Sequence, residues 1–192
     1  MPAAVLSNLL ILLVLVVGGM LANLEPEHYY RAGQEDGFLE WATFWAFALA
    51  AFRYLVVARR ERHASGGIPW FAVGLGLFCL LVALEEISWG QRLFGYRPPD
   101  YFLQENFQQE FNLHNVASTS LRKLVMLLIL AGYGVGTAVI SLIPPVGRQL
   151  RRWHRVPAPP ELVPAFLEMS VVYARYPWDY TGEWSELTMG LG

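Results

Sequence analysis

Charge is what this chain has least of. Only 16% of its 192 residues are Asp, Glu, Lys or Arg, against 55% hydrophobic and 14% aromatic, where an ordinary soluble domain carries about 25% charged and about 45–50% apolar residues. That balance points to a membrane protein. The formal net charge of -2 provides no global basic field, which excludes nucleic acid as a natural partner. A single cysteine, Cys79, cannot form an intrachain disulfide, and it lies in an apolar run where a thiol packs as a small hydrophobe. No HExxH, CxxC or GxSxG pattern occurs, so the common zinc, thiol-redox and serine-hydrolase signatures are missing. No histidine falls mid-way along an apolar run, which removes the usual route to haem ligation inside a bilayer. No cofactor is predicted.

What is present is a set of four long apolar runs. A span needs about 20 mostly apolar residues to cross a hydrocarbon core about 30 Å thick. Residues 4–22 contain no charge at all and read as a retained span, since a basic n-region and a small-x-small cleavage site are both lacking. Residues 38–58 form a second, with Glu40 and Arg53 able to snorkel and Trp41, Trp45 and Tyr54 suited to the headgroup belts. Residues 68–84 form a short third, with Gly74 and Gly76 offering a close-packing face, and residues 124–143 a fourth, whose Gly132 and Gly136 fit the small-xxx-small pattern. Orientation follows from basic residues in short loops: Arg59, Arg60 and Arg62 link spans two and three, and Arg148, Arg151, Arg152 and Arg155 follow span four. Both clusters predict a cytoplasmic side, with N- and C-termini on that side and the loop 85–123 outside.

Beyond span four, residues 144–192 read as a cytoplasmic tail in three parts. A proline-broken linker comes first. Over 160–176, Glu161, Glu168 and Arg175 recur on one face with Leu162, Phe166, Met169 and Tyr173 on the other, which predicts an amphipathic helix lying on the membrane or on a partner. The last stretch, PWDYTGEWSELTMGLG, reads as an aromatic interfacial or partner-contacting tail. The predicted fold class is therefore all-α, an integral membrane protein of four transmembrane helices plus an interfacial C-terminal helix.

The polar residues concentrate on the outer side. LEEISWGQRLFG (84–95) places Glu85 and Glu86 at the end of span three, where a carboxylate costs less than the about 2.5–3.5 kcal/mol of the bilayer centre. If the helix continues through Arg92, then Glu85, Ser88, Trp89 and Arg92 share one face while Glu86 points partly elsewhere. On a second helical reading Glu110 and His114 share a face at i, i+4, beside Asn112 and Asn115; Glu35, Asp36 and Glu40 approach from the start of span two. Two readings follow. In one, Glu85, Glu86, Arg92, Glu110 and His114 are candidate catalytic residues, or Glu86, Glu110 and His114 take a divalent metal. In the other, Glu85, Glu86, Ser88, Trp89, Gln91, Arg92, Asn112, His114 and Asn115 form a structural hydrogen-bond network tying the loop to the helix ends. His28, His63 and His154 sit among charged neighbours and read as solvated or headgroup-facing.

EEISWGQRLFG followed by NFQQEFNLHN resembles a pattern found in a group of uncharacterised bacterial multi-pass membrane proteins, over residues 85–115. The resemblance implies a bacterial cytoplasmic-membrane location and assigns no chemistry. The Glu-Glu pair with Arg92 is also similar to the EExxxR opening of intramembrane CAAX-type proteases, but the arginine lies two residues farther on and the later histidine motifs are absent apart from His114-Asn115. Two functions are expected on these grounds. The first is an accessory or structural subunit packing against other membrane subunits, drawn from the interfacial aromatics and the amphipathic tail. The second is a membrane-embedded hydrolase or transferase on a lipid-linked substrate, using the outer carboxylates and His114. The lipid bilayer is a partner in either case.

Overall fold

The computed structural model describes residues 2–34, 37–106, 108–152 and 157–192. Glu35, Asp36, His154 and Arg155, named above, lie outside the described residues. Among the described residues every regular element is helical and there is no strand.

The chain opens with α1 (Pro2–Leu24), followed by the short α2 (Pro26–Gly33), which begins on a proline whose missing N–H costs nothing in a first turn. Next comes α3 (Phe38–Ser65). Its 28 residues measure about 42 Å, longer than a hydrocarbon core. Arg59, Arg60 and Arg62 therefore ride on the last turns of α3 itself, where the sequence had predicted a link. The helix stops at Gly66, whose φ of 71° lets its N–H close on the Arg62 carbonyl. Then α4 (Trp70–Glu86) returns antiparallel on α3. Gly76 makes this approach possible, since a Cβ there would lie 3.1 Å from the Leu55 side chain, whereas Gly74 faces open space.

Among the described residues three helices are long and apolar enough to cross a membrane: Ala4–Leu24, Phe38–Ala64 and Thr119–Ser141. α4, at 17 residues, reaches that standard only together with Ser88–Phe94, which leaves it at an angle of 66°. The continuation through Arg92 expected from the sequence is thus broken. Ser88, Trp89 and Gly90 hold φ of 47°, 55° and 77°, three left-handed residues in succession, after which α5 (Gln91–Phe94) starts in a new direction. After α6 (Asp100–Glu105) the chain has no regular element until α7 (Thr119–Leu127), which Ser118 caps by accepting the Leu121 N–H. The helix expected to align Glu110 with His114 is absent, and the two residues stand on an irregular loop.

The fourth apolar stretch departs from an α-helix in its middle. α7 passes into a π-helix over Leu128–Thr137 and then into α8 (Ala138–Ser141) and α9 (Pro144–Arg152). The widened turns accept an aromatic ring: a Cβ on Gly134 would collide with the ring of Phe166. Gly134, rather than the Gly132/Gly136 pair, is the point of close approach, since Gly132 meets nothing within 4 Å.

Phe166 belongs to the segment expected to lie on the membrane or a partner. Here α10 (Val163–Arg175) packs inside the chain's own bundle, and the predicted apolar face, Leu162, Phe166, Met169 and Tyr173, is buried against Ile11, Met126 and Leu130. Glu161, Glu168 and Arg175 stay exposed, as the pattern requires. A turn at residues 176–180 then reverses the chain beside α2, where the Tyr29 hydroxyl donates to the Asp179 carbonyl at 2.7 Å. α11 (Thr181–Leu191) runs back down between α1 and α3. Trp184 stacks on Tyr29 with ring centroids 5.7 Å apart and covers Gly18. The stretch read as a contacting tail is a buried helix with Thr181, Ser185 and Thr188 at most 2% exposed along one stripe.

Candidate functional site

Two groups of acids form at the end of the bundle where α3 begins and α4 ends. The first is a latch. Glu85, 8% exposed, accepts the Trp89 indole N–H at 2.7 Å through one oxygen. Through the other it accepts the backbone N–H groups of Leu113 and His114 at 2.6 and 3.0 Å, with His114 Nδ1 at 3.6 Å. Glu110 accepts from the Ser88 hydroxyl and the Asn112 amide, both at 2.8 Å, and pairs with Arg92. Asn112 also donates to Ser88 at 3.0 Å and accepts from Asn106 at 2.8 Å, while Gln91 accepts the Phe111 N–H at 2.7 Å. Asn115 contacts Gln108 and accepts from Arg122. The left-handed run at 88–90 aims Ser88 and Arg92 at Glu110, so the sharp turn and the loop hold each other. Every carboxylate oxygen in the latch has a donor.

Glu86 takes no part in this. One residue further along α4, it turns inward and meets two glutamates from α11, and one carboxyl oxygen each of Glu86, Glu183 and Glu186 lies within 4.8 Å of the others. Glu86 and Glu186 face each other as side-chain partners. Burial pushes the Glu183 and Glu186 carboxyls above the usual carboxylate range; neighbouring acids add to the effect at Glu183, and His114 and Arg122 oppose it at Glu186. Among the described residues this is the one group of three acids, histidines or cysteines close enough to hold a metal ion. Glu110 and His114, expected beside Glu86 in that role, are occupied by the latch instead.

Two cavities meet at these residues. One, about 740 Å³, is polar and lies under the loop and the 176–180 turn, lined by Glu40, Glu86, Glu110, Glu183 and Tyr176 among others. The other, about 350 Å³, is an apolar slot between α4 and α7, walled by Phe78, Leu81, Val125 and Ile129 and floored by Met189. Glu86, His114 and Arg122 line both. No family model, curated protein or solved structure matches this chain.

Reasoning from sequence named one of the three clustered glutamates and missed two. The available signal was the i, i+3 spacing of Glu183 and Glu186, set beside a Thr181-Ser185-Thr188 stripe small enough for close helix packing. Read as an interfacial or partner-contacting tail, the stripe looks merely polar.

Proposed function

We propose that this chain is a membrane-embedded enzyme, a hydrolase or transferase acting on a lipid-linked substrate. One observation carries the reading: Glu86 stands in a wall common to a polar cavity and an apolar slot, which is the arrangement an amphiphile needs. A chain in the slot brings the polar end of the lipid against Glu86, Glu183 and Glu186, where the slot opens into the polar cavity. Carboxyls gathered this closely can pass a proton from one to the next, which suits general acid–base work. His114 is the second candidate for that exchange, and Arg122 offers donors to a developing negative charge.

In this reading the chain sits in a bacterial cytoplasmic membrane with four spans, α4 and its bent extension forming the third. The arginine-bearing end of α3 faces the cytoplasm. Cysteines at Ala64→Cys and Leu93→Cys test the orientation, the second being labelled in whole cells by an impermeant maleimide and the first protected. The activity is tested by comparing lipid extracts of cells overproducing the wild-type chain and Glu86→Gln at equal levels. A lipid pool that changes only with the wild type supports the enzyme, and identical extracts from both overturn it.

The accessory-subunit reading is favoured by a separate feature. Leu93 and Phe94, 60% and 80% exposed, project apolar surface from the polar end of the bundle. Native mass after mild detergent extraction decides it: a stoichiometric set of companion chains supports a subunit, and a lone chain removes that reading.

A further inference from the structure

The slot between α4 and α7 is built as a side entrance. α4 leans on α3 and stands off from α7, and the walls of the gap carry side chains that are themselves exposed: Leu81 at 43%, Leu121 at 52% and Val125 at 45%. From Phe78 to Glu85 the α4 wall is about 10 Å long. It is narrow, at about 350 Å³, and closed at one end by Glu86, Glu186, His114 and Arg122. Such a shape takes one hydrocarbon chain.

The charges at the mouth select the head. Glu85 is committed to three N–H donors, and Glu110 to Arg92, Ser88 and Asn112. Glu86, Glu183 and Glu186 remain, and the guanidinium of Arg122 offsets one of them. These carboxyls, with Glu40 beside them, outnumber Arg122 and His114, the two basic side chains that face them. An acidic head would worsen that balance and a neutral one would leave it unchanged. A quaternary ammonium brings charge without donors and is recognised by aromatic cages. A primary ammonium brings charge together with three N–H donors, one for each of the three carboxyls.

We propose that the slot binds a lipid with a single hydrocarbon chain and a primary-amine head, the chain lying between α4 and α7 and the ammonium seated on Glu86, Glu183 and Glu186. This deepens the reading of the chain as acting on a lipid-linked substrate and rests on it.

The test is native mass spectrometry of the full chain in detergent, titrated in parallel with hexadecylamine, hexadecanol, hexadecanoic acid and hexadecyltrimethylammonium. The amine is expected to bind at least tenfold more tightly than the other three. Glu186→Gln and Val125→Trp, which alter the head site and the chain site separately, are each expected to weaken it at least tenfold at an unchanged or higher melting temperature. Equal binding of amine and alcohol overturns the inference, as does amine binding that survives Val125→Trp. Binding of Mn²⁺ without binding of the amine also overturns it and makes the carboxyls a metal site. Tight amine binding with no altered lipid pool removes the enzyme and keeps the site; an altered pool with no amine preference does the reverse.

Discussion

Glu85 and Glu86 are neighbours in sequence, similar in burial and opposite in circumstance. Glu85 is surrounded by N–H donors from three residues, whereas Glu86 is surrounded by other carboxyls. A buried charge stabilises a fold only when its partners repay the loss of water, and the latch of Glu85 and Glu110 meets that condition. The cluster of Glu86, Glu183 and Glu186 fails it, so its acids oppose folding while pre-forming a place for something of opposite charge. One end of the bundle therefore holds a group that supports the structure and a group the structure supports.

The largest expected effect breaks the first half of this contrast. Glu110→Ala strands Arg92, Ser88 and Asn112 together and should cost about 3–5 kcal/mol, read as lost accumulation or a collapsed melting temperature in detergent. Trp89→Phe removes one donor to a buried charge and should cost about 1–2 kcal/mol by the same measurement. Glu186→Gln acts on the other half and should move stability the opposite way, raising it by about 1 kcal/mol near neutral pH while removing binding and activity. A loss of stability in that variant would make the cluster a second latch. The smallest effect sharpens the contrast through pH. With the Glu183 and Glu186 carboxyls raised in the folded chain, the unfolded chain carries fewer protons above the ordinary carboxylate range. Stability should then fall as pH rises above the ordinary carboxylate range, and Glu183→Gln should flatten that slope in a series of thermal melts.

Much of the helical frame was legible because its signals are long. The apolar run of α1 needs only composition, and the face Leu162, Phe166, Met169 and Tyr173 needs only a 3.6-residue period. What covers that face was not legible, since periodicity names the buried side and is silent about its partner; here the partner is the chain's own α1 and π-helix. The reversal at 88–90 escaped because Ser and Trp are ordinary helix residues, and the side chains that reach Ser88 from Glu110 and Asn112, 22 and 24 positions away, leave no local signal. Residues 106–118 supplied the right polar names with the wrong geometry: a helix would pair Glu110 with His114, while the loop sends one to Arg92 and the other to Glu85. Glu183 and Glu186 were hidden because two acids in a short polar helix look like solvated surface until the helix is placed inside.

That placement orders events in the life of the chain. Among the described residues α11 follows all the helices long and apolar enough to cross a membrane, so Glu40 and Glu86 are synthesised before the two glutamates that complete the cluster. Until α11 is made, α1 and α3 lack the helix that packs against both, and the cluster lacks two of its three carboxyls.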